Sequence, residues 1–308
     1  MNYLAIDLGG TEIKYALMSQ EADILEKSKV PSPPNIESTT EMLVLILKGI
    51  ISEYESQIKG VALSLPGILN SDTGDSYTAG MFHYLSGQNL PELLQKHFDL
   101  PITVENDGKA AALAELWKGS LSGVKNGAVV VLGTAVGGGL AIGGELYKGN
   151  TFAAGEMSFI LTNPEKDTYW GATGGSSHLI KLASEKLGIP LVELNGYKVF
   201  EMAEAGQQEV LEVLDEYTRN IAYQLYNLQT LLDLDLIAIG GGISRQPLLL
   251  AYLQKNIDEY CDNHPFKPFM PRIPRPKITT CKYFNQANLI GALYHHLKLT
   301  TKGAKEHE

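Results

Sequence analysis

Cysteine is nearly missing from this chain: Cys261 and Cys281 are the only two among 308 residues. Two thiols can build neither a zinc ligand set nor a disulfide framework, so a reducing, cytoplasmic setting is expected. Basic residues are also outnumbered, 25 Lys and Arg against 35 Asp and Glu, for a net charge of −10. A nucleic-acid partner would need a basic face that this balance does not supply. An anionic small molecule stays open, because backbone dipoles can hold one. No apolar run approaches the ~18 residues of a membrane span, so no membrane partner is expected. The chain enters a strand-like segment, Tyr3 to Ile6, with neither a basic leader nor an apolar signal stretch. What is present is ordinary for a globular protein, 44% apolar and 19% charged residues, and long enough for two α/β domains or one large one.

One pattern occurs twice. Tyr3 to Asp7 reads as a short buried strand, runs into Leu8-Gly9-Gly10-Thr11, and is followed by a second strand over Ile13 to Leu17. About 125 residues later, Ala128 to Leu132 leads into Gly133-Thr134 and Gly137-Gly138-Gly139. A strand over Leu140 to Ile142 follows, with Gly143-Gly144 as a hairpin turn. Two such units predict a duplicated domain with a site between the halves. Helices are expected over Ser38 to Tyr54, with Ser38 and Glu41 as a capping box, over Ala110 to Trp117, over Tyr217 to Leu232 and over Leu289 to Leu297. Strands are expected over Gly60 to Leu65, Ile102 to Glu105 and Leu236 to Ile239. Alternating strands and helices imply a mostly parallel sheet covered by helices. The Gly/Ser/Lys stretch Gly119 to Lys125 places the boundary. It gives a smaller first domain, 1–118, a larger second one, 119–288, a closing helix over 289–299 that returns to the first, and a frayed polar tail, 300–308.

The glycine turns carry a chemical use. Glycines let backbone N–H groups approach phosphate oxygens and tolerate positive φ, and the Thr11 hydroxyl adds a donor. Asp7, at its strand end, is placed to hold a Mg²⁺-bound water, since Mg²⁺ keeps most of its own waters. Gly9-Gly10 as a mere hairpin with Asp7 as its cap is the plain alternative, which the second unit makes less economical. A third cluster, Gly240-Gly241-Gly242, follows the strand Leu236 to Ile239 and precedes Ile243-Ser244, a place where a flat base or ribose can pack on backbone.

Together these segments resemble the actin-like kinases. Asp7-Leu8-Gly9-Gly10-Thr11 is similar to their first phosphate motif, Gly133-Thr134 to the second, and Gly240-Gly241-Gly242-Ile243-Ser244 to the adenosine motif. Val104-Glu105-Asn106-Asp107 before an alanine-rich helix, and Ala154-Gly155-Glu156, point within that group to the ROK sugar kinases. Leu65-Pro66-Gly67 and Leu289-Ile290-Gly291-Ala292 fall in family order. The resemblance implies a two-domain actin-like α/β fold with an interdomain cleft, ATP and Mg²⁺ as phosphoryl source, a sugar as acceptor, and relatives that are often homodimers. It also implies Asp107 as the base that takes the hydroxyl proton, with Asn106 and Glu156 as sugar ligands. The plain readings are that Asp107 is only a helix N-cap and that Glu156 only partners a helix N-terminus. Those family members that are sugar-responsive repressors carry a helix-turn-helix domain before the first phosphate motif. Here that motif begins at Asp7, so an enzyme is expected.

Departures from the pattern bear on the acceptor. The family histidine three residues after the glutamate is Phe159 here. Thr168, Trp170 and Gly175 stand where three zinc cysteines would, and Ser177 replaces a second glutamate. No zinc is therefore expected. Ala135 replaces a glycine after Gly-Thr, with Gly137 to Gly139 left to preserve the turn. The missing histidine and glutamate would lie near O1 and O2 of the sugar. Phe159, with Tyr169 and Trp170 nearby, would then stack on a second sugar or an aglycone, which points to a β-glucoside or glucosyl disaccharide such as cellobiose, phosphorylated at its 6-hydroxyl. In the alternative, Phe159 fills the volume left by zinc and the acceptor is a plain hexose, as for a glucokinase, fructokinase or N-acetylmannosamine kinase.

Overall fold

A computed structural model of the chain describes residues 1–33, 38–270 and 272–305. Its first part contains β1 (Asn2–Leu8), β2 (Glu12–Ser19), β3 (Ile24–Pro31), α1 (Thr40–Tyr54), β4 (Val61–Leu65), the small hairpin β5 (Leu69–Asn70) and β6 (Asp75–Ser76), α2 (Leu90–Gln95), β7 (Ile102–Asn106) and α3 (Asp107–Lys118). The second contains β8 (Gly127–Leu132), β9 (Val136–Ile142), β10 (Glu145–Tyr147), β11 (Leu161–Asn163), β12 (Thr168–Tyr169), α4 (Trp170–Thr173), α5 (Ser176–Leu187), α6 (Gly196–Glu204), α7 (Gln208–Leu232), β13 (Leu236–Gly240), α8 (Pro247–Asp262) and β14 (Ile278–Thr280). The closing helix is α9 (Ala287–Lys305).

These elements form two compact units. One holds residues 1–118, 146–155 and 286–308, the other 119–145 and 156–285. There are two five-stranded sheets, in order β3-β2-β1-β4-β7 and β10-β9-β8-β13-β14. In both, the first pair is an antiparallel hairpin, β1 with β2 and β8 with β9, and the following neighbours are parallel. The duplication read from the glycine turns is thus a duplication of topology.

In the first unit, β1 and β4 are buried on both faces, as a sheet covered by helices requires. Leu43, Leu47, Ile50 and Ile51 line one side of α1 and pack with Leu4, Ile6, Leu63 and Val104. On α3, Ala110, Ala111, Ala112 and Ala114 are buried, and this run of small side chains admits α9 closely. A Cβ added at Gly291 would lie 1.6 Å from the Ala110 carbonyl oxygen, so only glycine fits at that crossing. Trp117 stacks on Tyr294 at 4.8 Å one turn further along. In the second unit the core joins Val130, Leu132 and Ile239 of the sheet to Tyr217, Ile221 and Leu225 of α7, with Leu249 and Leu253 of α8.

Two local expectations are corrected. The cap of α1 is Thr39, whose hydroxyl accepts from the Met42 N–H at 3.3 Å, and Ser38 stays outside the helix. The expected tail is helical as far as Lys305, and residues 306–308 lie outside the described residues. The turn glycines Gly9 and Gly10 do not have positive φ. Their use is space: a Cβ at Gly9 would lie 2.8 Å from the Glu12 carbonyl oxygen, to which the Gly9 N–H donates at 3.2 Å.

Candidate functional site

In the first unit the candidate residues gather at the carboxyl ends of neighbouring parallel strands, where ligands of open α/β sheets bind. Asp7 of β1 is in register with Ser64 of β4, and Leu65 of β4 with Asn106 of β7. Asp7 is buried, and its Oδ1 accepts from Ser64 Oγ at 2.9 Å and from Asn288 Nδ2 at 3.0 Å. Burial raises its pKa, against the pull of those two donors. A carboxylate so placed fits the outer coordination of Mg²⁺, whose charge would offset the cost of burial. The turn that follows, Gly9-Gly10-Thr11, is fastened from the far strand: Ser32 Oγ donates to the Gly9 carbonyl, and the Ser32 N–H to that of Thr11 at 3.0 Å. Thr11 is exposed.

The strand β7 passes directly into α3, and that junction decides the roles of Asn106 and Asp107. Asn106 is the residue that caps the helix: its Oδ1 accepts from the Lys109 N–H at 2.9 Å. Its Nδ2 donates to the Gly67 carbonyl at 2.9 Å and to Asp107 Oδ1 at 3.2 Å. The plain alternative that Asp107 is only the cap does not hold, because Asp107 is already the first helical residue. Its Oδ1 also accepts from the Gly108 N–H at 2.8 Å. The carboxylate is thereby oriented by these donors. Behind the junction the buried Glu105 accepts the Asn106 N–H at 2.8 Å through Oε1.

The second unit carries its own cluster around the ends of β8 and β13. Gly240 is in register with Val131, so the turns Gly133-Thr134-Ala135 and Gly240-Gly241-Gly242 are neighbours. Of the three last glycines only Gly241 has positive φ, +94°, and a Cβ there would lie 2.3 Å from the Leu132 carbonyl oxygen. Ser176, the first residue of α5, donates to the Gly133 carbonyl through both N–H, at 2.7 Å, and Oγ, at 2.9 Å. Gly175 stands at a cysteine position of the family pattern. A Cβ there would come within 2.3 Å of the Thr134 carbonyl oxygen, so α5 starts directly against the second turn.

Glu156 opens a one-turn 3-10 helix, Met157–Phe159, and its carbonyl accepts from the Phe159 N–H at 3.1 Å. Ser158 docks this turn on β9 by donating to the Val136 carbonyl at 2.8 Å, and Met157 is buried. Phe159 is 66% exposed and Tyr169, paired across strands with Leu161, is 44% exposed. Trp170 is different. It is 1% exposed in the core, and the expectation that it would lie beside the acceptor is corrected. Trp170, not Phe159, fills interior volume at a zinc-cysteine position, and Tyr217 Oη donates to the nearby Gly174 carbonyl at 2.7 Å. Among the described residues no group of three or more His, Cys, Asp or Glu side chains is arranged to hold a metal ion, and no helix is long and apolar enough to cross a membrane.

The sequence pattern missed Ser64, Asn288, Ser158 and Ser176, whose contacts fix the candidate residues. Only Asn288 had a signal, its place beside Leu289-Ile290-Gly291-Ala292.

The model of the ROK family matches residues 3–298. This chain belongs to that family. It is 29% identical over 306 residues to the beta-glucoside kinase of Listeria monocytogenes, covering 97% of this chain and 98% of that protein. With the glucokinase of Halalkalibacterium halodurans the identity is 29% over 287 residues, covering 84% and 86%. A crystal structure of a ROK family protein from Streptococcus pneumoniae in complex with sucrose superposes with a TM-score of 0.85 at 30% identity, covering 98% of this chain and all of the other. The fold is the actin-like one, and this ROK protein is a sugar kinase.

Proposed function

We propose that this ROK sugar kinase transfers the γ-phosphoryl group of ATP to the 6-hydroxyl of a β-glucoside or glucosyl disaccharide such as cellobiose. The observation that carries the acceptor class is the exposure of Phe159, three residues after Glu156. An aromatic ring left two-thirds in solvent does not fill a core. It offers an apolar face to a second sugar ring or an aglycone, where an imidazole would instead bond a free anomeric hydroxyl. The relatives named beta-glucoside kinase support the same acceptor.

In this reading the turns at Gly9-Gly10-Thr11 and Gly133-Thr134 cradle the phosphates, and Gly240-Gly241-Gly242 accepts the adenosine. Phosphoryl transfer asks for positioning and charge stabilisation more than covalent help. Asn106 and Glu156 hold sugar hydroxyls: the carboxylate accepts from paired hydroxyls, and Asn106 Oδ1 keeps a lone pair beyond its helix cap. Asp107, oriented by Gly108 and Asn106, takes the proton of the attacking hydroxyl. Mg²⁺, bound with the nucleotide, would neutralise phosphate charge, and Asp7 would hold it through one of its waters. We place the reaction in the cytoplasm, where ATP and reduced thiols occur together.

A coupled ADP-release assay with ATP and Mg²⁺ against glucose, fructose, N-acetylmannosamine, cellobiose and gentiobiose tests this. Turnover of the disaccharides above the monosaccharides is expected. A preference of about tenfold in kcat/KM for glucose over cellobiose, or ~1.4 kcal/mol of transition-state binding, would refute the glucoside assignment.

A further inference from the structure

A charge cluster behind the Asn106–Asp107 junction has no part in the chemistry just described. Lys148 lies in the first unit, where its Nζ donates to Ser71 Oγ at 2.6 Å and to Asp72 Oδ1 at 3.0 Å, and reaches Glu105 Oε2 at 3.4 Å. Glu105 is 1% exposed, and the same carboxylate holds the Asn106 N–H through its other oxygen. His295 Nδ1 is 3.6 Å from Oε2, but its Nε2 pairs with the Ser71 carbonyl at 3.0 Å. With the ring proton on Nε2, Nδ1 presents a lone pair to Glu105, and burial holds the ring toward its neutral form. Lys148 is therefore a cation that Glu105 faces, at 3.4 Å.

The backbone of Lys148 has a second use. Its carbonyl accepts from the Ala154 N–H at 3.2 Å, closing residues 148–154 into a compact loop. Gly149 and the non-glycine Phe152 both sit at positive φ, +73° and +60°, and the Lys148 ammonium lies 5.9 Å from the Phe152 ring. Glu156 follows Ala154 by two residues in the chain. One lysine thus anchors the segment leading to the proposed sugar carboxylate and, through Glu105, the junction bearing the proposed base.

We propose that Lys148 is a positioning residue for the sugar: it fixes the 148–154 loop, which leads to Glu156, against Glu105, and through Glu105 it holds Asn106 in a set geometry for the acceptor. The inference rests on the sugar-ligand roles given above to Glu156 and Asn106. Lys148→Met keeps much of the apolar stem and removes the charge. It is expected to raise the sugar KM about tenfold, the scale of one charge-assisted hydrogen bond, with the ATP KM held within about twofold. Lys148→Arg, which keeps the charge, is expected to recover most of that loss. Amide hydrogen exchange, which needs no turnover, should show lost protection in 148–156 and at the start of α3 in Lys148→Met, with the β1–β2 hairpin unchanged.

A merely structural lysine would lower the folded fraction and hence kcat, leaving the sugar KM as in the wild type. That result, equal rises in both KM values, or unchanged exchange in 148–156 would overturn the proposal. If the Met variant does not fold, Lys148→Gln carries the same measurements. Should the wild type itself phosphorylate no sugar, the reading of the site fails by that arm alone, and hydrogen exchange still decides the anchor.

Discussion

Replacing Phe159 by alanine separates substrate contact from packing. The side chain is 66% exposed, and a phenylalanine presents ~200 Å² in full, so about 130 Å² stands in solvent. A sugar ring stacked on one face covers roughly half of that, ~65 Å². At ~25 cal/mol per Å² the contact contributes about 1.6 kcal/mol, or somewhat more than tenfold in kcat/KM for an acceptor that reaches the ring. Little is lost from the fold, since a side chain so exposed contributes within about 0.5 kcal/mol to stability. The assay is kcat/KM for cellobiose and for glucose, with wild type, Phe159→Ala and Phe159→Tyr, beside urea denaturation of each. Cellobiose is expected to fall about tenfold in the alanine variant, glucose within about twofold, and the tyrosine variant to stay near wild type. An unchanged cellobiose-to-glucose ratio would refute the stacking argument, as would a loss of ~2 kcal/mol or more in stability, which would mean that Phe159 packs.

Asp107→Asn keeps an oxygen for the Gly108 N–H but cannot take a proton; kcat should drop ~10²- to 10⁴-fold with sugar affinity by calorimetry little changed, and a variant at full rate would remove Asp107 as the base. Gly291→Ala drives a methyl into the Ala110 carbonyl and should cost about 1–3 kcal/mol. Gly49→Ala, in α1 with nothing within 4 Å, should stabilise by ~0.5–1 kcal/mol; equal effects in urea denaturation would show that the α3–α9 approach is looser than described. Buried His296 pairs its Nδ1 with Thr103 Oγ1 at 3.0 Å, and burial pushes its pKa down to about 4. Below pH 6.5 the unfolded chain takes up a proton that the folded state refuses, so the stability from neutral His296 is full above that pH and is lost toward pH 4. The loss is about 2 kcal/mol by pH 5, and His296→Gln should show a shallower decline between pH 7 and 5; parallel declines would place the titration elsewhere.

Much of this protein is legible in its sequence because the needed signals are local. The hairpin glycines, the apolar strands and the Ala-rich helix each announce themselves within a dozen residues. Gly143 and Gly144 turn their hairpin with φ of +65° and +84°, as their pairing suggests. Strands without local contrast were not seen: β3 is largely exposed, its Glu26, Lys27 and Lys29 facing solvent at the sheet edge, and β14 is three residues long. Helix starts also slipped. Thr39 and Ser38 are equally good caps chemically, and the path of the chain into α1 decides between them.

Sequence by itself determined the duplicated architecture, the glycine turns and the carboxylate proposed as the base, because strand period, glycine spacing and a carboxylate at a strand end are properties of short segments. Only the tertiary structure decided which side chain stands in solvent and which in the core. Phe159 and Trp170 are both large, apolar and close in the chain, yet one is exposed and the other buried. Burial depends on what other segments bring up: the α7 residue Tyr217 and the Gly174 turn close around Trp170, whereas Ser158 docks its own turn on β9 and leaves Phe159 facing out. The anchoring of Glu105 by Lys148 has the same origin, since residues 43 apart in the chain are paired only once a sheet and a loop have been folded together.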